Sequence, residues 1–300
     1  MTPEFWVILT GILAASACGL IGSFLVLRQN AMLGDAISHA VLPGLALGFL
    51  ITSSRGVVPM IIGAGLMGLL TAFLTEFLSR SGRLYRDSSL GIVFTSLFSV
   101  GVILIAGFAG QVDLDQECVL YGEIAYTPWD TFILDGANLG PRAVWVLSIV
   151  FLFNLLFIIL FYKQLKITSF DPQLAKTVGI SDRLWHYLLT AMVSLTVVAS
   201  FESVGAILVV AMLIIPGATA FLLTQKLWLL LILAVIVGIV SAVGGYVGAS
   251  ATNTSIAGFM AVFAGTVFGI TLIIKGIFNR NRSVNFEHIE SLKPKEALKS

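Results

Sequence analysis

Charge is what this sequence has least of. Asp, Glu, Lys and Arg make up 11% of its 300 residues, against 58% hydrophobic, with a mean hydropathy of +1.01. An average soluble domain carries about 25% charged residues, so a water-soluble globule is excluded. Disorder is excluded too, because there is too little polar surface to keep the chain solvated. Cysteine is nearly absent: Cys18 and Cys118 are too few for a disulfide framework, Cys18 lies inside an apolar run, and both read as free thiols. Also missing are a G-x-x-x-x-G-K-[ST] phosphate loop, an H-E-x-x-H zinc motif and a Ser/His/Asp set. The chain therefore does not hydrolyse ATP in the P-loop manner, and an intramembrane enzyme is disfavoured. No cleavable signal peptide is expected, since residues 5–27 form a run of spanning length behind Glu4 rather than behind a basic stretch.

What is present is a series of long apolar runs separated by short charged loops. Windows of about 20 residues place spans near 5–27, 33–52, 57–78, 90–110, 142–162, 185–201, 204–224, 227–248 and 256–275. The expected fold is an all-α, polytopic transmembrane helical bundle, with residues 1–275 as the transmembrane domain and 276–300 as a short polar tail, helical or disordered. Pro43 with Gly44 and Pro216 with Gly217 are expected to break two of the helices. Gly244 and Gly248 in one helix and Gly265 and Gly269 in the next predict a tight crossing.

The scarce charges are sorted. Arg28, then Arg80, Arg83 and Arg86, then Lys163, Lys166, Lys176 and Arg183, then Lys226, then Lys275, Arg280 and Arg282 fall on one side, which the positive-inside rule makes cytoplasmic. The N-terminus is then outside and the C-terminus inside. Residues 111–141 fall opposite and carry Asp113, Asp115, Glu117, Glu123, Asp130 and Asp135 without a Lys or Arg. Such a segment would concentrate cations or dock a basic partner; the plain alternative is a hydrated loop, although Val119, Leu120, Tyr121 and Trp129 point to a packed or interfacial structure. Arg55 and Arg142 break the rule, each at a helix end from which a long side chain can snorkel.

An ionisable residue within a span costs at least about 2.5–3.5 kcal/mol and is a functional candidate by default. Asp35 and His39 stand four residues apart, which on a helix puts both on one face within reach of one ion. The plain reading of the same residues is a capping Asp and a His bonded to a nearby carbonyl. Broken helices in the two halves of a transporter mark a substrate site, and the flanks of Pro43-Gly44 and Pro216-Gly217 are loosely alike. Met212 is then the positional counterpart of His39, either a thioether beside a transition-metal path or core packing. Ser38 lies beside the pair. Glu202 sits at an outer turn, lining an entrance or simply solvated, and Glu76 is explained by pairing with Arg80 or Arg83. In the loop from Phe170 to Ile180, Asp171 can cap, Pro172 suits a first helical position and Gly179 a stop, defining a short docking helix that includes Leu174 and Ala175.

The string from Leu27 to Gly44, with Gly34-Asp35-Ala36-Ile37-Ser38-His39 at its centre, closely resembles the signature of the membrane permease subunits of bacterial manganese, zinc and iron ABC importers. Asp113-Leu114-Asp115 with Cys118 to Glu123 looks like the external segment of the manganese/zinc branch, though Gln116 and Glu117 vary among relatives. Phe170 to Gly179 is similar to the family's coupling region, and Val204 through Ala220 to a further signature. The resemblance covers nearly the whole chain except the tail. It implies a multi-pass protein of the bacterial cytoplasmic membrane, transporting a divalent metal with no permanently bound cofactor. Its implied partners are cytoplasmic ATP-binding subunits, an extracytoplasmic metal-binding protein and a second permease in a homodimer or heterodimer; no nucleic-acid partner is expected. It also implies that Asp35 and His39 coordinate the ion. The alternative is a secondary transporter or channel that works without ATPases.

Overall fold

The computed structural model describes residues 2–52, 57–82, 84–108, 124–134 and 137–291. Hydrocarbon offers no partner for backbone N–H and C=O groups, so each crossing segment must satisfy its own as a helix. Among the described residues nine helices are long and apolar enough to cross a membrane. The helices are α1 (Pro3–Leu27), α2 (Ala31–Thr52), α3 (Val57–Ser81), α4 (Arg86–Phe108), α5 (Arg142–Leu160), the short α6 (Tyr162–Phe170) and α7 (Pro172–Thr177), then α8 (Asp182–Val204), α9 (Ala206–Leu223), α10 (Leu227–Thr252) and α11 (Ile256–Ser291). Ahead of α5 lie a 3₁₀ turn, Ile124–Trp129, and an antiparallel hairpin of β1 (Thr131–Leu134) and β2 (Ala137–Pro141). The all-α bundle and its spans agree with the expectation. The polar tail begins as helix, because α11 continues past residue 275 to Ser291.

Helix α1 is the hub. Its middle is buried all round, and it packs against α5, α8, α9 and α10. Gly22 lets α9 come close enough that a methyl group there would overlap the Leu213 carbonyl oxygen. A Cβ on Gly217 would lie 2.9 Å from the Ser23 Cα. Polar groups add to this contact surface: Asn154 of α5, fully buried, donates to Thr196 Oγ1 of α8 at 2.7 Å and to the Ala17 carbonyl of α1 at 3.4 Å.

Two expectations are corrected. Helix α2 runs unbroken through Pro43 and α9 through Pro216. The physical reason is that each Pro-Gly pair sits at a helix crossing rather than in an unwound stretch. A Cβ on Gly44 would lie 2.5 Å from the Gly63 carbonyl of α3, and one on Gly101 of α4 would lie 2.7 Å from the Pro43 ring. Packed neighbours hold the helix although proline removes one backbone bond. The second correction concerns the glycines of the last two spans. Gly244 and Gly248 do meet α11, receiving the rings of Phe263 and Phe259, but Gly265 and Gly269 face open space. Large rings fill the small-residue notches, so the glycines of α11 are not used at this crossing.

Replacing Gly22 with Ala should destabilise the purified chain by about 2 kcal/mol or more, because backbone must move, whereas Gly265→Ala should leave it as stable or slightly more so. Thermal midpoints in detergent measure both; equal midpoints for Gly22→Ala and wild type would contradict the crossing.

Candidate functional site

Helix α2 starts after a three-residue turn, Arg28 to Asn30, that reverses the chain at the end of α1. The turn is closed by Asn30 N–H to Leu25 O at 2.8 Å and Gln29 N–H to Val26 O at 3.1 Å. Gln29 adopts a left-handed φ of 55°, a conformation glycine usually supplies, at a cost of about 1 kcal/mol. From this fixed start α2 packs along α3 and α4 and more lightly against α1, α8 and α9. Asp35, His39 and Leu42 share one half-open stripe, while Ala36, Ile37 and Ala40 are buried.

The pair comes together. Asp35 Oδ1 and His39 Nε2 are 3.6 Å apart, each side chain 37% exposed. That is too long for a hydrogen bond and close to the spacing of two ligands on one ion. Atoms each about 2.1 Å from a metal lie about 3.4 Å apart at the tetrahedral angle. The His39 ring stacks on Phe94 with centroids 5.7 Å apart and meets Phe98 edge-on at 6.0 Å, so α4 walls the imidazole on two sides. These phenylalanines were not singled out from the sequence, although their four-residue spacing on α4 would have matched that of the pair.

The other candidates scatter. Ser38 is buried and donates to the Gly34 carbonyl at 2.9 Å, so its hydroxyl is spent within its own helix. Met212 is 1% exposed and belongs to the apolar core, which is the packing reading. Glu202 falls in the last turn of α8 rather than in a separate loop, since Gly205, at φ 78°, alone divides α8 from α9. Asp113, Asp115, Glu117, Cys118 and Glu123 lie outside the described residues. The part of that segment that is described has Ile124 and Thr127 buried and Tyr126 and Trp129 exposed beside each other.

At the opposite end of the bundle the basic residues gather. Asp171 caps α7 by accepting from Leu174 N–H at 2.9 Å, Pro172 opens it, and Gly179 at φ 81° ends it. Ala175 is fully buried and anchors this helix, whereas Phe170, Leu174 and Val178 are exposed. Arg28 was placed by sequence only as a cytoplasmic charge, but it fastens α1 to α6. Its Nη2 donates to Thr168 Oγ1 at 2.6 Å, its Nε to Ser169 Oγ at 3.1 Å, and Asp182 of α8 stands 3.9 Å away. Its side chain is 7% exposed, and burial draws the guanidinium below the usual arginine range, with Asp182 opposing that shift. Glu76 pairs with Arg80 as expected and also accepts from the Tyr187 hydroxyl at 2.5 Å, with Arg183 at 3.7 Å. Those two partners lie on α8, more than a hundred residues on, and no local pattern announces them.

A bundle of spanning helices with a paired carboxylate and imidazole on one of them defines a polytopic membrane protein. The chain belongs to the ABC 3 transport family, whose profile matches residues 4–275. It is 51% identical over 268 residues, 89% of this chain and 90% of that one, to the manganese transport system membrane protein MntD of Bacillus subtilis. To the zinc transport system membrane protein TroD of Treponema pallidum it is 39% identical over 273 residues, 91% of this chain and 74% of that one. Among solved structures it resembles PsaBC from Streptococcus pneumoniae in complex with Fab, with a TM-score of 0.75 and 32% identity over 90% of this chain and 91% of that chain. It is accordingly a membrane permease component of an ABC transporter.

Arg28→Gln should lower the stability of the purified chain by about 2 kcal/mol, because two charge-assisted bonds in a buried setting are lost. Arg28→Lys should recover less than half of this, since one ammonium cannot span both hydroxyls as the fork does. Full recovery by lysine, read from thermal midpoints, would show that charge alone matters there.

Proposed function

We propose that this chain is the permease subunit of an importer for a divalent transition metal, manganese or zinc first and iron within the same chemistry. The observation that carries the reading is the 3.6 Å approach of Asp35 Oδ1 and His39 Nε2 on one face of α2. A mixed oxygen and nitrogen pair suits these ions rather than calcium or magnesium, which take oxygen ligands. The printed descriptions of MntD and TroD, manganese and zinc transport system proteins, support the same cargo. Among the described residues no group of three or more His, Cys, Asp and Glu could hold a metal, and Asp35 with His39 is the pair that this reading assigns to the ion. A second permease, a like or an unlike copy, would bring further ligands to a shared path. Two protein ligands from each side hold an ion reversibly, as transport requires.

The charge sorting supports an orientation in the bacterial cytoplasmic membrane. Arg28, Arg80, Arg86, Lys163, Lys166, Lys176, Arg183, Lys226 and Lys275 lie at the end of the bundle that carries α6 and α7, with the hairpin and Arg142 at the other. The hairpin end then faces outward, with the N-terminus, and receives the metal from an extracytoplasmic binding protein. The acidic residues Asp113, Asp115, Glu117 and Glu123 would raise the local cation concentration there. Inside, exposed Leu174 and Val178 on and beside α7 offer apolar side chains to a cytoplasmic ATP-binding subunit. Arg28 links that element to the turn that starts α2, so displacement of α6 and α7 pulls on the helix that bears Asp35 and His39.

Asp35→Ala and His39→Ala should each reduce manganese and zinc uptake by the assembled transporter to background without changing its yield; near-normal uptake in both would end the site assignment. Leu174→Glu should leave the ATP-binding subunits hydrolysing ATP while uptake per ATP falls about tenfold, a loss of about 1.4 kcal/mol of coupling. Uptake that persists without any ATP-binding subunit would favour the secondary transporter.

A further inference from the structure

A cavity of about 750 Å³ opens at the basic end of the bundle, between the end of α1, the end of α3, the start of α4, α6 with α7, and the start of α8. Its lining is charged and hydroxylic, and the signs are unequal: Arg28, Arg80, Arg86, Lys176 and Arg183 against the carboxylates Glu76 and Asp182. Such a surplus repels a divalent cation, which argues against this cavity as the exit for transported metal. Three of the cations are engaged, Arg28 with Thr168, Ser169 and Asp182, and Arg80 and Arg183 with Glu76. Arg86 and Lys176 form no ion pair among the described residues. The partner of Arg86 is His186, whose Nε2 stands 3.0 Å from Arg86 Nη2. A guanidinium can only donate, so that nitrogen accepts and the ring is uncharged. His186 therefore positions Arg86 without neutralising it; Glu76, Asp87 and Asp182 act on the guanidinium from beyond ion-pair distance, and among the described residues no other hydrogen bond takes its donors.

We propose that this cavity binds a phosphate group, with Arg86 as its main contact, Lys176 as a second charge and the Ser181 hydroxyl, which accepts from Leu184 N–H and keeps its own proton, as a neutral donor. The guanidinium fork matches a phosphate bidentately and a lysine adds a point charge. Ligand sites commonly measure about 300–1,000 Å³, so a glycerophosphate headgroup fits. Two sources share this chemistry: an anionic phospholipid of the inner leaflet, which basic pockets between spanning helices on the cytoplasmic side bind, or a soluble phosphate. In either case the phosphate would join the starts of α4 and α8 to α7 and stiffen the end of the bundle that meets the ATP-binding subunits.

The test places the full chain in nanodiscs of phosphatidylcholine and measures its thermal midpoint with added phosphatidylglycerol, with inorganic phosphate, or with chloride at equal ionic strength. Wild type should be stabilised by phosphatidylglycerol and not by chloride. Arg86→Gln should need about tenfold more of the anion for the same shift, and Arg86→Lys should fall between. Stabilisation by inorganic phosphate as well identifies the phosphate group as sufficient, and stabilisation by the lipid alone identifies the headgroup as the source. A response of Arg86→Gln equal to wild type overturns the proposal. So does no response of wild type to either anion, including the case in which a purified ATP-binding subunit alone stabilises the chain, which would assign the cavity to an acidic segment of that partner.

Discussion

Close approach of helix backbones is the constraint on which this molecule rests. Helices in lipid gain little by burying one apolar side chain against another, because the lipid is equally apolar, so association depends on packing and on a few interhelical hydrogen bonds. Gly22 against the Leu213 carbonyl, Gly217 against Ser23, and Gly44 against Gly63 are three places where backbone meets backbone without room for a Cβ. The last of these lies little more than one turn beyond His39 and fixes the rotation of α2 against α3 and α4. Rotation decides which side chains of α2 are buried and which share the half-open stripe. Asp35 Oδ1 and His39 Nε2 lie 3.6 Å apart on that stripe of a helix whose Gly44 and Pro43 are clamped.

The same helix is held at its other end by polar contacts. The turn from Arg28 to Asn30 is three residues long and closed by backbone hydrogen bonds, with Gln29 in a left-handed conformation within it. Arg28 ties this turn to Thr168 and Ser169, directly ahead of the capped helix α7. Asp35 with His39 and the capped helix α7 are thus connected through one set of contacts, with a packed crossing at one end and a guanidinium clasp at the other.

Much of this was legible in the sequence, and the reasons are physical. Span positions follow from hydropathy because lipid permits nothing but satisfied backbone. Asp35 and His39 stood out because ionisable residues are costly in a span, and four-residue spacing defines a face whatever the neighbours do. The role of Asp171, Pro172 and Gly179 was legible because capping is local. What failed were inferences in which a local signal is overruled by tertiary packing. Pro43-Gly44 and Pro216-Gly217 read as breaks, yet neighbouring helices hold both helices continuous. Gly265 and Gly269 read as a crossing, yet the bulky partners on α11 are Phe259 and Phe263. Contacts between distant segments, Arg28 with Thr168 and Glu76 with Tyr187, have no sequence signature at all, and that of His39 with Phe94 is only a matching four-residue spacing.

Direct ligation of the transported ion by Asp35 and His39 is tested by pulsed electron paramagnetic resonance of manganese bound to the reconstituted assembly. A nitrogen coupling to the bound manganese should be present in wild type and disappear in His39→Ala while the ion, if retained, keeps oxygen ligands. A nitrogen coupling of unchanged size in His39→Ala would contradict it.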